Sequence, residues 1–71
     1  MNHSELIDRL GGTASVARIL GIKSPSVTAW RIGGIPDDKL IRLARIAEQS
    51  GIATRKQLLP NVWQQIWPDL A

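Results

Sequence analysis

TASVARILGIKSPSVTAWRI, residues 13–32, governs the reading of the whole chain. Ala17 is small, so two helices can approach closely where it sits. Gly21 follows Thr13 by eight residues, where the chain must turn sharply and a positive φ is most easily reached by glycine. Val16, Leu20, Ile22, Val27 and Trp30 are the apolar positions that would hold a second helix against the first. The remaining positions of the second helix are short or basic: Lys23, Ser24, Ser26, Thr28, Ala29 and Arg31. A small residue at the elbow, a turn glycine and five apolar places in register specify more than a generic helical hairpin. They predict a helix-turn-helix, a unit whose second helix presents its outward face to the major groove of DNA.

The 71 residues are enough for a single domain, taken as 1–71. A chain this short buries only about 60% of its unfolded surface, so pairing with a second copy would help its stability. Cysteine is absent, which excludes disulfides and thiolate metal sites and suits a reducing cytoplasm. No apolar run approaches the ~18 residues of a membrane helix, and MNHSELIDRL lacks a signal-peptide core, so the expected location is cytoplasmic with no membrane partner. Nine Lys and Arg oppose six Asp and Glu, and the net charge of +3 leans mildly toward a polyanion. Its placement says more: Arg18, Lys23 and Arg31 lie on or beside the motif, and Asp37 and Asp38 lie beyond it. No Ser-His-Asp set, paired catalytic acids, phosphate loop or metal-ligand spacing occurs, and His3 stands alone. An enzyme, a cofactor and a metal are therefore not expected.

The rest of the chain reads as helices of decreasing length. Ser4 is placed to cap a first helix through about Leu10, with Leu6, Ile7 and Leu10 facing a core and Gly11-Gly12 ending it. Thr13 is then the expected cap of the second helix, to Leu20. Ser24 is the expected cap of the third, with Pro25 at its first helical place and Gly33-Gly34 as its stop. Pro36 opens a fourth helix with Asp37 and Asp38 in its positive first turn; its apolar stripe is Leu40, Leu43, Ala44 and Ala47, flanked by Ile41 and Ile46, and Gly51 stops it. Thr54-Arg55-Lys56-Gln57 has the form of a capping box before Leu58 and Leu59. Asn61 could cap a last turn carrying Val62, Trp63, Ile66 and Trp67, ended by Pro68. The expectation is an all-α domain of about five helices, with a two-strand ending around Gly51–Leu59 as the alternative.

The candidate base-contacting face is Ser24, Pro25, Ser26, Thr28 and Ala29. Pro25 and Ala29 can make no bidentate bond to a base. Hydrogen-bond readout then falls to Ser24, Ser26 and Thr28, while Ala29 offers apolar contact to a thymine methyl. Ser24 serves equally well as a simple cap. Candidate phosphate contacts are Thr13, Arg18, Lys23, Arg31 and Lys39; Arg42 and Arg45 read as a solvated helix face. Trp30 reads as core rather than as a platform for bases. In the segment 52–71, Trp63, Ile66 and Trp67, with Leu70, recur at helical spacing and mark a large apolar surface. It would serve the core, a dimer seam, or a grip on another protein.

ASVARILGI, then SPSVTAW, then GGIP opening the next helix, together covering about residues 4–49, resemble the Cro-type repressors of lambdoid phages and prophages and the related YdaS-like and CII-like regulators. TRKQLLPNVW followed by WPDL is similar to the ending of the YdaS-like branch. The resemblance implies a lambda-repressor-like fold, a homodimer, short double-stranded operator DNA as partner, and transcriptional regulation in a bacterial host. It also implies, as the alternative, an antitoxin-like module with a protein partner. Relatives often carry Gln, Asn or Lys on the outward face of the third helix, where this chain has Pro25 and Ala29.

Overall fold

The computed structural model describes residues 1–70; Ala71, the last residue of the predicted domain, lies outside them. The chain folds into α1 (His3–Arg9), α2 (Thr13–Leu20), α3 (Ser24–Gly33), α4 (Asp37–Gln49), α5 (Arg55–Leu58), α6 (Trp63–Ile66) and a closing 3-10 turn (Pro68–Leu70). These are six α-helices rather than about five, because Pro60 splits the tail into two single-turn pieces. Among the described residues there is no strand; Gly51 to Leu59 forms a turn and α5, which removes the two-strand alternative.

The helix starts differ from the sequence expectation in a consistent way. Asn2, not Ser4, caps α1, its Oδ1 accepting the Glu5 N–H at 2.7 Å. The cap of α2 is Gly12, whose φ of 97° a side-chain-bearing residue would resist, and Thr13 is already helical. Lys23 occupies the cap position of α3, which makes Ser24 and Pro25 its first two residues. In each case the predicted hydroxyl lies one or two residues inside the helix, where it is released from capping and free to bond elsewhere. At the tail, Val62 rather than Asn61 precedes α6, and Pro68 begins the 3-10 turn instead of ending the structure. The capping box at Thr54 forms as expected: its Oγ1 accepts the Gln57 N–H at 3.1 Å, and Gln57 Oε1 accepts the Thr54 N–H at 2.8 Å.

The core is made chiefly by one face of each of the four longer helices. Leu6 and Ile7 of α1, Val16, Ala17 and Leu20 of α2, Val27 of α3, and Leu40, Leu43, Ala44 and Ala47 of α4 are buried together, closed below by Leu58 and Leu59. Ile35 and Ala53, in the connections on either side of α4, complete it. Leu10, Ile22, Trp30, Ile41, Val62, Trp63, Ile66 and Trp67 pack against it half-buried.

Two polar anchors fix the connections. His3 Nδ1 accepts the Ile35 N–H at 2.7 Å, which ties the start of α1 to the α3–α4 link. Glu48 holds the start of α5, accepting the Arg55 backbone N–H at 2.9 Å and its Nε at 3.1 Å. These bonds, the backbone one foremost, hold the Glu48 carboxyl below the ordinary 4.5 of a glutamate. A depressed carboxyl contributes stability above its unfolded pKa and loses it as pH falls through the folded one. Glu48→Gln should therefore melt below wild type at neutral pH, and the gap should narrow as pH drops beneath 4.5. Parallel thermal melts of the two proteins from pH 7 to 3 test this; a gap independent of pH would refute it.

Candidate nucleic-acid interface

The elbow between α2 and α3 works through Gly21. With φ 70° and ψ 34° it takes the left-handed conformation, and the Ile22 N–H returns to the Ala17 carbonyl at 3.0 Å, closing α2 in the manner of a Schellman turn. Buried Ala17 sits at the contact, with no long side chain to separate the helices. From there α3 leaves with Val27 as its single fully buried residue and Trp30 half-buried against the core. Everything else on its outward side is open. Lys23, Ser24, Pro25, Ser26, Thr28 and Ala29 are all exposed, so the base-contacting set named from the sequence forms one continuous solvent face.

The chemistry of this face is spare. Thr28 Oγ1 donates to the Ser24 carbonyl at 3.2 Å, which commits the hydroxyl proton to the helix and leaves the oxygen as an acceptor. Ser24 and Ser26 make no side-chain hydrogen bond among the described residues. Lys23 and Arg18 are exposed and, among the described residues, carry no ion pair. They are the cations on or beside the motif whose charge is uncommitted. Lys39 instead meets Asp38 at 3.1 Å, and its hydrogen bond holds the Asp38 carboxyl below 3.8.

Arg31, a phosphate candidate from the sequence, is bonded within the fold. Its Nε donates to Thr13 Oγ1 at 3.1 Å, its Nη1 to Ser4 Oγ at 3.0 Å and to the Ser4 carbonyl at 3.3 Å, and its Nη2 to Asp8 Oδ1 at 2.8 Å. One guanidinium thus joins α1, α2 and α3. It also absorbs Thr13, the other phosphate candidate at this corner. The hydroxyls of Ser4 and Thr13 are available to it because neither is a cap. Sequence reasoning missed Ser4 and Asp8 as its partners: contacts spanning 23 and 27 residues leave no local signature.

The tail candidates lie together elsewhere. Trp63, Ile66 and Trp67 are half-buried against the core, and no residue of α6 is fully buried. Lys56 Nζ lies 4.4 Å from the Trp63 ring centroid and the Arg55 guanidinium carbon 5.1 Å from that of Trp67, so cations cover part of the exposed indole surface. Among the described residues no three His, Cys, Asp or Glu gather to hold a metal, and no helix is long and apolar enough to cross a membrane. Compared with known proteins, the chain matches no family model, no curated protein and no solved structure.

Proposed function

We propose that this protein is a sequence-specific DNA-binding transcriptional regulator. It is a lambda-repressor-like helix-turn-helix of the Cro type, acting as a homodimer on operator DNA in the cytoplasm of a bacterial host of phage or prophage. One observation carries the reading: α3 follows a glycine elbow, buries only Val27, and leaves Lys23, Ser24, Pro25, Ser26, Thr28 and Ala29 exposed side by side. A helix packed through Val27 and Trp30, tied at Arg31 and bare along the opposite side suits insertion in a major groove. Lys23 and Arg18 supply phosphate contacts at its entrance, and a single helix reads half a site, which makes a symmetric dimer on a pseudo-palindrome economical.

Selection of bound duplexes from a random pool tests the reading directly: an enriched motif is expected, and a pool that stays random refutes it. In the selected duplex, Lys23→Ala should weaken binding nearly uniformly across sequences and reduce the slope of log K against log salt by about 0.9, one phosphate contact. Fluorescence anisotropy at a series of salt concentrations reads that slope; no change would remove Lys23 from the interface. A protein-interaction module of antitoxin type is the second reading. It is favoured by α6, whose tryptophans stay half-exposed in the monomer, and it is what an unenriched pool would leave.

A further inference from the structure

We infer that α3 reads thymine through its methyl group, and that Ile32 is a specificity-determining residue at the far end of the reading face; this rests on the DNA-binding reading above. Ile32 is 94% exposed, far more than any other large hydrophobic residue among those described. It lies at the next place along the stripe Pro25, Thr28, Ala29, Ile32, the i, i+3, i+4, i+7 spacing that a helix lying in a groove turns toward base edges. The sequence expectation ended this face at Ala29 and Arg31.

The stripe has almost nothing with which to hydrogen-bond. Pro25, Ala29 and Ile32 carry no polar side-chain atom, and the Thr28 proton is already given to the Ser24 carbonyl. The major-groove edges of the base pairs offer one apolar feature, the C5-methyl of thymine. A face of methyl and methylene groups gains by covering that feature and gains nothing at a guanine or cytosine edge, whose acceptors and donors it would leave unpaired. Isoleucine is also a poor choice for an exposed helical position, being β-branched and apolar, and no described residue covers it. Gly33 beside it has open space where a Cβ would be, so no side chain there holds the helix end away from a groove floor. Arg18 and Lys23 give the duplex its non-specific hold, and the serines at the start of α3 accept either base.

The test uses the full chain and the highest-affinity duplex from the selection. Each thymine is replaced singly by deoxyuracil, which removes the methyl and leaves every hydrogen bond intact. At one or more positions wild-type affinity should fall about fourfold, the size expected for one buried methyl. Ile32→Ala should bind the parent duplex more weakly and lose its sensitivity at one of those same positions. Because Ile32 is exposed, that variant should melt no lower than wild type, so weaker binding is not misfolding. Uracil effects that all stay within twofold, or that are identical in the two proteins, overturn the inference while leaving DNA binding standing. Failure to select any site overturns both. A further outcome also defeats it: Ile32→Ala converts a dimer to a monomer in sedimentation with the uracil response unchanged. A second copy, seated on the groove of Met1, Trp30 and Ile32, would then be what covers the residue.

Discussion

Arg31→Ala will lower the stability of the domain by about 2–3 kcal/mol, an unusual loss for a side chain at a helix end. The Asp8 ion pair supplies little of it, because that carboxylate is 66% exposed and a pair so solvated contributes under about 1 kcal/mol. The larger share comes from the half-buried bonds to Ser4 and Thr13, at about 1 kcal/mol each. Lysine cannot reproduce a fork aimed at three partners, so Arg31→Lys should recover only a minor part. Urea unfolding reads the shift in midpoint, and a double-mutant cycle with Thr13→Val isolates the α2 contact. A loss below about 0.5 kcal/mol would show that the guanidinium does not join the three helices in solution. DNA binding separates this role from a phosphate contact. A clamp variant should lose affinity because α3 is no longer held at its angle, with the salt slope unchanged, whereas a lost phosphate contact reduces the slope.

Leu43→Ala should be costlier still. Leu43 has no solvent exposure and sits mid-helix in α4, among the buried residues of a single core cluster. Truncating a buried leucine costs about 2–5 kcal/mol through lost transfer free energy and the cavity left behind. A domain of this length has only about 4–10 kcal/mol in total. The expected fall in melting temperature is about 15 °C or more, enough to leave much of the protein unfolded at 37 °C. Arg42→Ala, one position earlier and exposed, should change stability by less than about 0.5 kcal/mol. Circular dichroism melts of the pair test the register of α4, since a rotation of the helix by one position would exchange the two results.

Local chemistry was legible in the sequence and long-range chemistry was not. Gly21 announces the elbow because few residues other than glycine adopt its φ easily, and Thr54 with Gln57 announces α5 because a capping box closes within four residues. The stripe of α4 follows from spacing alone. The outward positions of α3 follow from the same periodicity. Cap identities were read one or two residues late, since Asn2-His3-Ser4 and Gly12-Thr13 each offer two neighbouring candidates. In both pairs the earlier residue is the cap and the hydroxyl of the later one bonds a distant partner. Arg31 is that partner, and its position in space is set by how α1 and α3 cross. His3 was passed over as isolated for the same reason: the Ile35 N–H it accepts lies 32 residues away. Ile32 was within reach of the periodic argument, since it follows Pro25, Thr28 and Ala29 at helical spacing.

No polar side chain is buried among the described residues. An interior of hydrocarbon alone is tolerant of composition but has no directional bond to prefer one arrangement over a slightly shifted neighbour. That discrimination falls to the perimeter, to Arg31 across three helices, His3 at the α3–α4 link and Glu48 at the head of α5. Loosening those few junctions would leave helices and an oily centre largely in place while their mutual register drifts, a swollen, dye-binding globule with full far-ultraviolet and weak near-ultraviolet dichroism. In such a chain, uniqueness of form rests on a few perimeter bonds that also carry part of the stability, while the greater part of the stability rests on the hydrocarbon centre.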